Sequence, residues 1–157
     1  MREILFRGKN VYGEWVEGFY YKAKLNRYDK ELCDYLTKPY PETEGKPSDH
    51  VFVYPETIGQ YTGLTDKNGK KIFEGDILKG EQYPYKDGDG DYNYFAEVVW
   101  FDNSPAFGLY TFKNPKSNVR GISTGNTSYI EDFASEYWEV IGNIHDNPEL
   151  LTEAETT

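Results

Sequence analysis

The feature that most constrains this chain is the run Thr57 to Leu78, TIGQYTGLTDKNGKKIFEGDIL, in which very short apolar stretches alternate with sharp turns. A tight turn at Asp66, Lys67, Asn68 and Gly69 precedes an apolar pair, Ile72 and Phe73. A second turn at Glu74, Gly75 and Asp76 leads into another short strand at Ile77 and Leu78. Turns spaced this closely suit antiparallel strands joined by hairpins. The same alternation returns near the end in VIGNIHDNPELL, Val140 to Leu151. Such a run is architecture. It supplies no nucleophile with its base, no metal ligand set and no phosphate loop.

The rest of the chain reads in the same way. Glu3 to Arg7 and Trp15 to Tyr21 predict two strands around a turn at Val11 to Gly13. Trp15, Phe19 and Tyr21 alternate with Val16 and Tyr20, apolar on both faces, which suits a central strand. From Lys22 to Ser48 no period holds; this stretch is expected to be a peripheral insertion, with Leu25, Leu32, Cys33 and Leu36 on one face of a brief helix from about Asp29 to Leu36. Further strands are expected at 50–54, 71–79, 95–101, 107–112 and 137–144. A turn-rich acidic segment, Gly80 to Asn93, and a loop, Asn114 to Ser128, lie between them. Asn147 is placed to cap a short helix with Pro148 at its first position. Lys9-Asn10 to Glu17-Gly18 also echoes Lys67-Asn68 to Glu74-Gly75, which reads as one hairpin type used twice.

These elements predict a mainly β protein, either a small SH3-like barrel or a curved antiparallel sheet, with an irregular insertion and a short C-terminal helix. At 157 residues the chain is expected to form one domain: a hairpin over 1–21, the insertion over 22–49, a barrel core over 50–151 and a frayed tail over 152–157. Trp100, Phe101, Ile72, Ile141 and Leu109 are the candidates for its core. With 15 Tyr, 9 Phe and 3 Trp but one Met, that core must be largely aromatic.

Charge narrows the function. Residues 1–80 carry 13 acidic and 13 basic side chains, and residues 81–157 carry 14 and 4, so the second half holds the whole net charge of -10. That field repels phosphate backbones, so direct nucleic-acid binding is not expected and basic partners are favoured. The single cysteine, Cys33, cannot form an internal bridge, and the apolar run before Arg7 is too short for a signal peptide. No stretch approaches the roughly 20 apolar residues of a membrane span. The expected location is the cytoplasm.

The candidate chemistry is thin. Asp87, Asp89 and Asp91 begin like a calcium loop, but Tyr92 stands where glycine is needed and Val98 where the bidentate glutamate belongs. One cysteine and two distant histidines cannot make a spaced zinc set. His50 begins a strand and His145 ends one, so both could sit at a barrel rim, yet no nucleophile motif accompanies them. Glu74 with Asp76, and Glu131 with Asp132, are carboxylate pairs in a chain with 27 acidic residues. Gly75 and Asp76 are better explained as a turn in which Asp76 accepts from nearby N–H groups. No catalytic, cofactor or metal residue is therefore assigned, and no cofactor is expected.

Ile58 to Leu78, the strand Val98 to Phe101, and YWEVIGNIHDNPELL (Tyr137 to Leu151) together closely resemble the YopX family, as does the opening FRGKNVYGEWVEGFYY. The resemblance implies small proteins encoded by bacteriophages and prophages, with an SH3-like fold and no established activity, so it transfers no functional residue. The expectation is a non-enzymatic protein-binding module in a bacterial host cell, with its protein partner unidentified and self-association left open. An acidic decoy for the DNA-binding surface of a host factor is the alternative, using Glu131, Asp132, Glu136 and Glu139. A hydrolase at His50 or His145 ranks below both.

Overall fold

The computed structural model describes residues 3–38, 49–81, 93–113, 125, 127–130 and 134–152. They fall into two compact units, Met1–Gly63 and Leu64–Thr157. The first unit contains β1 (Phe6–Lys9), β2 (Trp15–Ala23), β3 (Cys33–Thr37), β4 (His50–Phe52) and most of β5 (Gly59–Thr65). Its sheet is antiparallel in the order β4-β3-β2-β1-β5. The second unit contains β6 (Lys71–Phe73), β7 (Asp76–Glu81), β8 (Asn93–Phe101), β9 (Ala106–Lys113), β10 (Thr127–Tyr129), α1 (Ala134–Tyr137), β11 (Trp138–Asn143) and α2 (Glu149–Thr152). Its five-stranded sheet runs β10-β9-β8-β7-β11, again antiparallel. The protein is mainly β with a short C-terminal helix, as the turn spacing predicts. Among the described residues the strands form open sheets and close no barrel.

The expected helix over Asp29 to Leu36 is a strand instead. Asn26 and Asp29 close a turn in which the Tyr28 N–H donates to Asn26 Oδ1 and the Asn26 N–H to Asp29 Oδ2. The chain then enters β3, which pairs with β2 on one side and β4 on the other. Two flanking strands supply more hydrogen bonds than an isolated two-turn helix could, and cross-strand packing overrides the weak helical spacing. Over its described residues, the segment taken as a peripheral insertion thus contributes an inner strand. The aromatic surplus explains itself here: Tyr21, Tyr35 and Phe52 stand directly opposite one another across β2, β3 and β4. Tyr21 stacks on Tyr35 at 5.8 Å, and Tyr35 meets Phe52 edge-on at 6.1 Å. Each such pair adds to sheet stability beyond its buried area.

The echo between residues 9–18 and 67–75 is one hairpin turn built twice, in a register shifted from the sequence match. The Gly13 N–H donates to Asn10 O and the Asn10 N–H to Glu14 O; correspondingly, the Gly69 N–H donates to Asp66 O and the Asp66 N–H to Lys70 O. Gly13 and Gly69 carry φ of +78° and +79°, and no residue other than glycine has positive φ among those described, so Asn68 does not share the left-handed role its type allows. This is the three-residue loop with a glycine bulge. Both turns are held by the side chain of their first residue. Asn10 Oδ1 accepts from the N–H groups of Tyr12 and Glu14, and Asp66 Oδ1 from those of Asn68 and Lys70.

Asp66 does more. It is 2% exposed, and its second oxygen accepts the buried N–H of Val140 in β11 at 2.9 Å. The Lys67 N–H donates to Trp138 O, and Lys67 Nζ pairs with Glu139 at 3.0 Å. The turn is thereby fastened along β11. Behind it lies the core of this unit, formed by Ile72, Leu78, Tyr94, Ala96, Val98, Leu109, Trp138 and Val140. Ile72 and Leu109 are where the sequence places them. Ile141 is only half-buried, because it is the extra residue of a bulge: Val140 opposes Leu78 and Gly142 opposes Ile77, with Ile141 between. Trp100 and Phe101 are also outside this core, at the end of β8.

Gly75 has φ +80°, and this lets its N–H reach Val98 O while its C=O accepts the Ile144 N–H. Asp76, fully buried, accepts the Phe73 N–H at 2.8 Å and holds the same turn. An alanine at position 75 would meet Ile144 only at ordinary distances of 3.5 and 3.6 Å, so its cost lies in the backbone. Gly75→Ala should destabilise by roughly 1 kcal/mol or more in chemical denaturation, and an unchanged midpoint would contradict the left-handed assignment.

Burial alone would raise the Asp66 carboxyl, but hydrogen bonds from Val140, Lys70 and Asn68 outweigh it and hold the group below its ordinary value of 3.8. A depressed carboxylate contributes stability that is full above the unfolded pKa and is lost as pH falls through the folded one. Asp66→Asn turns an amide N–H₂ toward the Val140 N–H, placing donor against donor. It should cost about 2 kcal/mol near neutral pH, and the difference from wild type should shrink in strong acid. Urea unfolding of both proteins across pH checks this; a gap independent of pH would contradict it.

Candidate functional site

Among the described residues, the groove beside the β8–β9 turn combines open aromatic surface with a definite shape. It encloses about 460 Å³ between the end of β8, the turn at Asp102 to Ser104, and β10. Trp100 is in phase with the buried Tyr94, Ala96 and Val98, but it is the next-to-last residue of its strand and lies beyond the packed core. It stays 40% exposed, edge-on to Phe107 at 4.9 Å. Phe101, on the other face of β8, meets Tyr129 edge-on at 5.7 Å, and Tyr129 is 58% exposed. The hydroxyls of Ser104 and Tyr129 are 3.0 Å apart and tie the turn to β10.

Gly108 makes this arrangement fit. A Cβ at that position would stand 2.1 Å from Phe101 Cζ and 2.7 Å from Ser128 O. The Phe101 ring therefore lies directly over the β9 backbone, against β10. Asp102 is the one charged side chain among the described lining residues. The sequence assigned Trp100 and Phe101 to the core and did not point to Tyr129. The available signal was position, since a bulky residue at the mouth of a tight turn such as DNSPA has few neighbours to bury it.

The two histidines weighed for catalysis belong to different units. His50 is in the first unit and His145 in the second. His50 Nδ1 shares a 2.6 Å hydrogen bond with the Tyr21 hydroxyl, whose ring it also meets edge-on. The His145 N–H donates to Asn143 Oδ1 in the turn after β11. Desolvation and the carboxylates of Asp29, Asp34 and Glu31 push the Cys33 thiol up, away from the reactive thiolate. Burial, with the Asp34 hydrogen bond of 2.6 Å, raises the Tyr20 phenol to about 12. Glu74 and Asp76 belong to the Gly75 turn. Asp87, Asp89, Asp91, Glu131 and Asp132 lie outside the described residues. Of the remaining carboxylates of the expected decoy face, Glu136 is exposed and Glu139 is paired with Lys67. Among the described residues no group of three His, Cys, Asp or Glu side chains is placed to hold a metal ion, and no helix is long and apolar enough to cross a membrane.

Against this geometry, residues 6–152 match the family model described as YopX protein, almost the entire chain. The chain belongs to the YopX family. This YopX chain is also similar to the crystal structure of protein EF1440 from Enterococcus faecalis, at 26% identity over 96% of this chain and 99% of that one, with a TM-score of 0.44. No match was found among curated proteins.

One carboxylate that the sequence does not single out is electrostatically unusual. Glu97, half-buried in mid-β8, is raised above its ordinary value of 4.5 by burial and then by the neighbouring Glu74 charge. A raised carboxylate favours the folded state below the unfolded pKa, and that contribution is lost as pH rises through the folded pKa. Glu97→Gln should therefore melt higher than wild type near pH 7, and the advantage should vanish toward about pH 3. A variant that melts lower at neutral pH would show that Glu97 is held by partners that favour its charge.

Proposed function

We propose that this YopX protein is a non-enzymatic binding module, acting in the cytoplasm of a phage-infected or lysogenic bacterial cell, that holds a protein partner in the Trp100–Tyr129 groove. The observation that carries this reading is the groove itself: large aromatic faces left open at the end of a sheet, fixed by the Phe101–Gly108 contact and the Ser104–Tyr129 hydrogen bond. Aromatic side chains that are both exposed and rigidly held lose little freedom on binding, and Trp and Tyr dominate the energetics of protein interfaces. The acidic second half of the sequence supports a basic partner and speeds encounter with it.

The test is capture from host lysate by immobilised wild-type protein, Trp100→Ala and Tyr129→Ala, each first shown to melt as a folded protein. The wild type should retain a partner that both variants release, and most of that retention should survive a rise in salt. A partner held equally by all three proteins contradicts the groove. A partner lost by salt alone would instead mark an acidic decoy, since exposed charge pairs are screened beyond about 8 Å at physiological ionic strength.

A further inference from the structure

Resting on the binding role of this groove, we infer that its occupant is a protein segment that presents an arginine or lysine side chain to the aromatic faces, with the cation neutralised by Asp102. Three observations converge on a cation. Trp100, Phe101 and Tyr129 are among the residues lining one cavity, and an aromatic face attracts a cation through its quadrupole. Among the described residues lining the cavity, the one charged side chain is a carboxylate. Residues 81–157 bear the entire negative excess of the chain, and the groove lies within them. The volume of about 460 Å³ accommodates one long side chain together with the backbone that carries it.

The chemistry also says what the groove rejects. An acidic segment would bring a carboxylate to Asp102, and no described lining residue is a lysine or arginine that could receive it. A purely apolar segment would cover Asp102 without a partner, and a covered charge without compensation is costly. A guanidinium satisfies both elements of the site at once: its plane stacks on an indole or phenol ring while its edge donates to a carboxylate. Arginine is therefore preferred over lysine.

The experiment uses the full chain and synthetic peptides of about ten residues in three matched forms, differing only at a central Arg, Gln or Glu. Binding is read by calorimetry and by the amide shifts of Asp102, Ser104 and Thr127 to Tyr129. The Arg peptide should bind about tenfold more tightly than the Gln peptide, and the Glu peptide weakest of all. Asp102→Asn should remove most of the difference between Arg and Gln, whereas Trp100→Ala should weaken all three. Equal binding of the Arg and Gln peptides at these amides would overturn the cation inference while leaving the groove a binding site. A lysate partner lost from Trp100→Ala but not displaced by the Arg peptide would do the same. If neither peptide nor partner senses Trp100→Ala or Tyr129→Ala, both the inference and the binding role of the groove fail. Binding of phosphatidylcholine vesicles, or self-association through these amides, in place of the Arg peptide would also overturn it.

Discussion

The second unit depends on one carboxylate. Asp66 stands at the first position of a three-residue hairpin, and its two oxygens accept three backbone N–H groups: Asn68 and Lys70 within the turn, and Val140 on β11. A local turn and a long-range strand contact are thus joined in a single side chain. Hydrogen bonds to an ionised carboxylate are stronger than neutral ones, and burial withdraws the competing water. Without Asp66 the turn would still have Gly69, but Val140 would leave a buried donor with nothing to accept it. The twin hairpin at Asn10 shows the division of labour. It has the same backbone and no third acceptor role, and Asn10 uses its amide to donate to Glu14. The residue type at the first position therefore follows what lies beyond the turn, not the turn itself.

From that anchor the sheet follows in order. β11 pairs with β7, β7 with β8, β8 with β9 and β9 with β10. Gly75, with its N–H on Val98 and its C=O on Ile144, joins β8 to the chain that leaves β11. The groove lies at the far end of this series, where β8 runs past the core and Gly108 admits the Phe101 ring. Its aromatic residues are exposed because of their position at a strand end, and rigid because the turn is tied to β10. In the other unit the aromatics serve a different purpose: Tyr21, Tyr35 and Phe52 are cross-strand pairs that hold a sheet together.

Much of the fold was legible in the sequence because turns are local. Asp66 to Gly69 and Glu74 to Asp76 announce themselves through residues whose backbone or side-chain chemistry acts within a few positions. By contrast, α2 begins at Glu149, and Asn147 Oδ1, expected to cap it, accepts the Asn143 N–H instead. Where partners were distant, local reading failed. Leu32, Cys33 and Leu36 have a helical spacing, yet β2 and β4 claim the segment as a strand. Ile141 looks like an inward residue until the bulge that displaces it is seen. Trp100 looks like core by residue type, and only its place at the end of β8 exposes it. The groove was invisible for the same reason, since Tyr129 comes to Phe101 through the pairing of β10 with β9. Family membership was the most legible property of all, because the YopX motif is itself a series of local turns.

The most direct measurement is the titration of the Asp66 carboxyl carbon by NMR, followed together with the Val140 amide. If one carboxylate joins the hairpin to β11, the folded pKa of Asp66 lies below the ordinary value of 3.8, and the Val140 amide shift moves at that same pH. An Asp66 pKa at or above 3.8, or a Val140 amide that does not respond to it, would contradict the account.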